Sequence, residues 1–178
     1  HAEDLDAKYL LELEPDRMLY YLRERAGLQP KAKQGYGGWD GKGRQLTGHI
    51  AGHYLSAVSY MYAATGDPQF KQRADYIVSE LKEIQDKQGD GYIGALMDAN
   101  RTPGKTLFEQ LSKGIIRSGG FDLNGMWSPW YVQHKIFAGL RDAHVYAASE
   151  PALRVLSRLA EWTTTACRNV PDDQLQKM

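Results

Sequence analysis

The sequence predicts an all-α domain of antiparallel helical hairpins, and three observations carry that prediction. Phe70, Ala74, Ile77, Val78, Leu81 and Ile84 recur at helical spacing, an apolar stripe that a helix presents on one side. Gly66-Asp67-Pro68 ends one helix and starts the next, with glycine as the C-terminal cap, Asp as N-cap and Pro in the first helical position. So short a turn makes its two helices antiparallel. The segment YAATGDPQF at 62–70 then returns as YAASEPAL at 146–153, with one residue deleted. Hairpin repeats bury their apolar faces by stacking on further copies, and a closed ring of hairpins needs more helices than 178 residues hold. The expected architecture is therefore an incomplete array, with residues 1–178 forming a single all-α unit.

In chain order, a marginal helix is expected over Glu3–Glu12, then one helix from Pro15, with Met18, Leu19, Leu22 and Ala26 on one face and Gly27 as its stop. Gln29–Arg44 has no period and reads as a long loop, which Tyr36 and Trp39 mark as ordered. The next helix spans about 47–64. It buries Ile50, Tyr54, Ala57, Val58, Met61 and Tyr62, and sets His49, His53, Ser56 and Tyr60 in a second, polar stripe. Its partner runs from Pro68 to about Gln85. GDGYIG (89–94) is a turn, a short helix covers about 105–113, and a second loop rich in glycine and aromatics leads to a helix over about 131–148. Ile136, Phe137, Leu140, Ala143 and Ala147 make its buried face. The last long helix starts at Glu150-Pro151, buries Leu153, Leu156, Leu159, Ala160, Thr163 and Cys167, and stops before Pro171.

Lys plus Arg balance Asp plus Glu at 22 each, with no basic block, so neither nucleic acid nor an anionic membrane has an electrostatic case. No apolar run approaches the length of a membrane span. The first residue is His1 rather than Met, which suggests processing or a piece cut from something longer. The one cysteine, Cys167, excludes an internal disulfide and a cysteine-based zinc cluster, and is expected to be an inert buried thiol.

The chemistry concentrates in Gly35–Ser56, where a loop with six glycines from Gly35 to Gly48 carries Trp39 and Asp40 into a helix start. Thr47 is the expected N-cap, and His49 and His53 fall on one face within the first two turns. Two such histidines have metal-ligand spacing, but Ile50 stands where the zinc-protease signature has Glu, and no third ligand announces itself. Neutral imidazoles donate and accept hydrogen bonds together, which suits sugar hydroxyls; the competing reading is two satisfied histidines at a buried helix end. Trp39, Trp127, Trp130 and Tyr131 lie in or beside the glycine-rich loops, where flat rings serve as platforms for a sugar or plug the ends of the array. His134 stands one turn into its own helix and marks the same rim. Asp40, Asp90 and Asp122 are the loop carboxylates available for acid or base work, each equally suited to capping a turn, and spacing does not pair them. The Asp86–Met97 stretch fails as a calcium loop, since its twelfth position is Met.

Four motifs together resemble the family 127 glycoside hydrolases, the β-L-arabinofuranosidase group: YGGWD (36–40), GHIAGHYLSAVSYMYAATGDP (48–68), GDGYIG (89–94) and WSPWYVQHKIFAGLRDAH (127–144). The resemblance implies an (α/α)6 toroid followed by β-sandwich domains, and retaining, exo-type hydrolysis of arabinofuranosides. It also implies a zinc-bound cysteine thiolate as nucleophile, with a Glu acid/base and further Cys and Glu zinc ligands on later helices. Cys167 corresponds to none of these, so no cofactor is expected in this chain, and zinc belongs to a longer parent. What the resemblance leaves to these residues is part of a saccharide pocket wall: Trp39, Asp40, His49, His53, Tyr92, Trp130 and His134. Relatives often carry Glu where Asp40 stands.

The resulting expectation is the N-terminal portion of a secreted or periplasmic glycosidase, an incomplete (α/α)6 toroid that is inactive alone and self-associates through exposed helix faces. A non-catalytic helical domain binding carbohydrate or protein is the alternative, and a free-standing α/α enzyme using Asp40 or Asp90 is a third. The saccharide reading requires His53 and His134 to meet at one end of the bundle.

Overall fold

In a computed structural model that describes residues 2–178, the apolar stripes assemble into two long helical hairpins with their first helices side by side. His1, where the sequence suggests processing, lies outside the described residues. The α-helices among the described residues are α1 (Ala2–Glu12), α2 (Pro15–Met18), α3 (Tyr20–Arg25), α4 (His49–Thr65), α5 (Pro68–Gln88), α6 (Gly104–Ser112), α7 (Pro129–Tyr146), α8 (Glu150–Cys167) and α9 (Asp172–Leu175), and a single 3-10 turn covers Gly38–Asp40. A three-stranded antiparallel sheet of two-residue strands, β1 (Ser118–Gly119), β2 (Asp122–Leu123) and β3 (Met126–Trp127), precedes α7. The fold is thus mostly helical, and the small sheet corrects the expectation of plain loop there. Buried Asn124 anchors it, donating to the carbonyls of Leu107 and Ile115 and accepting from the Arg117 N–H.

The α4–α5 turn follows its sequence signals. Gly66 is left-handed at the end of α4, and the Asp67 side chain accepts from Gln69 N at 2.9 Å. All six residues of the α5 stripe are buried. The helix expected from Pro15 is divided at Leu19, yet Leu19 N still bonds Pro15 O and Leu19 O still accepts from Arg23 N, so the expected face stays in the core. Buried Arg23 pairs with Glu80 and Glu83, and Lys31 also reaches Glu80, which ties α3 and the long loop to α5. Arg73 of α5 donates to the carbonyls of Leu11 and Leu13 and so holds the end of α1.

Two helix faces and one cap depart from expectation. Helix α4 buries Ala51, Tyr54, Leu55 and Val58, whereas Ile50, Ala57, Met61 and Tyr62 are only half-buried. The buried residues of α8 are Ala152, Val155, Leu159, Trp162 and Ala166, whereas Leu153 and Ala160 are exposed and Leu156, Thr163 and Cys167 only half-buried. Thr47 does not cap α4. Its hydroxyl donates to Gly41 O at 2.6 Å, and left-handed Gly48 occupies the N-cap.

Glycine makes the contact that positions the site. A Cβ on Gly52 would lie 2.1 Å from Lys135 O, and one on Gly139 would lie 2.7 Å from Gly52 O, so α4 and α7 cross backbone against backbone. The N-terminal residues His49 and Tyr131 meet at one end of this pair, and Tyr60 and Tyr146 meet at the other with ring centroids 4.7 Å apart. The two helices are therefore parallel, with α5 and α8 packed behind them and against each other. No helix among the described residues is long and apolar enough to cross a membrane.

Candidate saccharide site at the α4 and α7 helix starts

Because α4 and α7 run parallel in such close contact, their first turns present side chains to one another. His53 Nε2 lies 3.0 Å from Tyr131 Oη, and His49 Nδ1 lies 3.5 Å from the same oxygen. The two imidazoles stand 5.6 Å apart, nearly perpendicular. Lys135, one turn beyond Tyr131, holds its ammonium 4.8 Å from the phenol ring. His134 joins the group closely enough for its charge to act on His53, and both are exposed. His53 and His134 share one end of the bundle and neither is sealed in aliphatic packing.

The electrostatics keep the imidazoles neutral. Burial lowers His49 to about 4, assisted by the neighbouring His53 and Lys135. His53 is lowered by partial burial, then by Lys135 and His134. A neutral imidazole has one donor and one acceptor nitrogen, so this cluster exchanges hydrogen bonds with hydroxyl groups at neutral pH.

The other expected residues divide. Trp39 is 67% exposed and meets half-buried Trp127 edge to face at 6.2 Å. This contact joins the glycine-rich loop to the sheet loop, and Arg44 secures the junction by pairing with Asp122 and donating to Gly125 O at 2.9 Å. Trp130 is half-buried, with its ring 5.1 Å from Phe108. Tyr92 departs from expectation. It is 2% exposed, its ring packs on Phe108 and Trp162, and its hydroxyl is enclosed, so it belongs to the core rather than to an open wall. Asp40 is likewise buried, beneath the start of α4, where Oδ1 accepts from Gly48 N at 2.8 Å.

Tyr131, expected as a flat ring beside the loops, meets the imidazoles through its hydroxyl, and Lys135 completes the cluster without having been expected. The signal for Lys135 was available: it stands four residues after Tyr131 on the first turns of a helix that also carries His134. A groove of about 470 Å³ between α1 and α4, lined by Tyr9, Leu10, Ala57, Tyr60 and Met61, contains none of the expected residues.

Residues 1–178 match the family described as β-L-arabinofuranosidase, GH127 catalytic domain. The chain belongs to this family. No curated protein matches it. For a GH127 domain the remaining carboxylates are already engaged: Asp90 pairs with Lys105 and Asp122 with Arg44. Burial raises the half-buried Cys167 thiol, which keeps it protonated at neutral pH. Among the described residues no three His, Cys, Asp or Glu side chains group as a metal site.

Proposed function

We propose that this GH127 domain supplies one wall of the saccharide pocket of a β-L-arabinofuranosidase. His49, His53 and His134 take sugar hydroxyls, and Trp39 and Trp130 flank the ring. The observation that carries this reading is the Tyr131 hydroxyl held between two uncharged imidazoles at an open helix rim. Such a cluster offers donors and acceptors alternately, as a polyol requires, and the exposed face of Trp39 adds the flat apolar surface that a furanose packs against. We read the two parallel first helices as neighbouring inner members of an (α/α)6 ring, with α5 and α8 as the outer layer.

Binding and orientation, not bond cleavage, are the roles assigned to these residues. Asp40 lies under a helix start and Asp90 and Asp122 are paired, so none stands free as acid, base or nucleophile. NMR titration with L-arabinose and with methyl β-L-arabinofuranoside should shift the imidazole signals of His49, His53 and His134 and the indole signal of Trp39. Tyr131→Phe, at an exposed position, should weaken that binding about tenfold while leaving the fold intact, as loss of a polar contact worth about 1.4 kcal/mol would. Unmoved imidazoles at saturating sugar would overturn the reading, and turnover of an aryl arabinofuranoside by these 178 residues alone would overturn the division of labour.

A further inference from the structure

We infer that Asp40 is a positioning residue, whose carboxylate under the first turn of α4 fixes the direction in which His49 and His53 point and keeps Trp39 in register with them. The inference rests on the saccharide reading only for its consequence in binding; the mechanical part stands on geometry.

Three hydrogen bonds make the joint. Gly48, left-handed at φ +101°, turns its N–H back into the loop, and Asp40 Oδ1 accepts it at 2.8 Å. His49 N donates instead to Leu46 O at 3.1 Å, and the N–H groups of His49 and Ile50 act on Asp40 through proximity, favouring its charged form. One residue earlier, Trp39 O accepts from Leu46 N at 2.8 Å, and one residue later Gly41 O accepts from the Thr47 hydroxyl at 2.6 Å. Residues 39–41 are thereby laced to 46–48, with Asp40 in the middle and 3% exposed.

Free helix donors are ordinarily met by a side chain at the N-cap itself. Here the cap is a glycine without a side chain, and the group that serves it comes from eight residues upstream. A local cap would hold only the helix. This one holds the helix and the tryptophan together, so the spacing between the aromatic platform and the imidazoles depends on it. Oδ2 is buried and has no hydrogen-bond partner, so the carboxylate gives all its bonds to the helix start and none to a neighbouring side chain. Asp40 faces Tyr21 of α3, which feels its charge, and His49 of α4.

The test is NMR on the whole chain. In the wild type, titration of the Asp40 carboxyl carbon should be followed by the amide signals of Gly48, His49 and Ile50 with one shared midpoint. Asp40→Asn keeps an acceptor oxygen and loses the charge; it should shift the imidazole signals of both histidines and the Trp39 indole without ligand, and weaken L-arabinose binding about fivefold, the equivalent of a lost cap of about 1 kcal/mol. Asp40→Glu, which restores the charge, should recover part of that loss. Amides that ignore the carboxyl titration overturn the inference without any variant, as do unchanged imidazole signals in Asp40→Asn. If those signals move but the wild type binds no arabinose, the positioning role stands and the saccharide reading falls.

Discussion

Asp40 and His49 lie at one helix start and titrate in opposite senses, which gives the site a distinctive pH behaviour. Burial raises Asp40 from 3.8 to about 7 against the pull of three backbone N–H groups. Between about pH 4 and pH 7 the folded chain therefore holds a proton that the unfolded chain has lost, and this residue makes stability fall as pH rises. Burial lowers His49 from 6.5 to about 4, so across most of the same window the unfolded chain holds the extra proton and stability rises with pH. The two slopes, each at most about 1.4 kcal/mol per pH unit, offset one another in the wild type. Urea unfolding between about pH 4.5 and 6.5 should show Asp40→Asn gaining stability with rising pH and His49→Asn losing it. Identical slopes in both variants and the wild type would refute the assignment. At this scale the sequence identified Asp40, His49, His53 and His134 as a group, and of the tasks open to Asp40 the structure shows the turn-capping one, with Gly48 N as its partner. Capping grammar is local, spanning three residues, whereas Asp40 reaches forward by eight. Tyr92 misled for a related reason: a tyrosine in a glycine-rich turn reads as exposed, and only the approach of Phe108 and Trp162 encloses it.

The elements owe their placement to the crossing at Gly52 and Gly139. Gly52→Ala has no flexible side chain to push aside, because the nearest atoms are the carbonyl and nitrogen of Lys135 and Ile136. It should cost about 2–3 kcal/mol of stability and separate His53 from Tyr131, visible as a lowered unfolding midpoint together with shifted imidazole signals. A variant with wild-type stability and unchanged imidazoles would show that the helices do not meet there. Helices with one strongly apolar side, such as α5, were legible from sequence down to the cap. In α8 apolar residues occupy two sides, and periodicity cannot choose between the Leu153–Leu156 side and the Val155–Leu159 side. The small Ala152 and Ala166, with Trp162 filling the space beside Tyr92, decide it in three dimensions. The sheet before α7 was illegible because two-residue strands have no period to read.

Taken whole, the molecule leaves large apolar side chains in solvent on several helices: Tyr9 on α1, Tyr60 on α4, Val145 and Tyr146 on α7, and Leu153 on α8. Light scattering over a concentration series should show reversible association, strongest in high salt, where burial of apolar surface is favoured. A monomer at every concentration would argue that these side chains need no cover. The hairpin repeat was readable from the two matching turns, and so was the meeting of two histidine-bearing helix starts. The parallel arrangement has one more effect. Each helix start carries a partial positive charge, and α4 and α7 deliver two of them to the same rim, beside the ammonium of Lys135. A rim so polarised resists taking up protons and favours an uncharged or anionic neighbour over a cationic one.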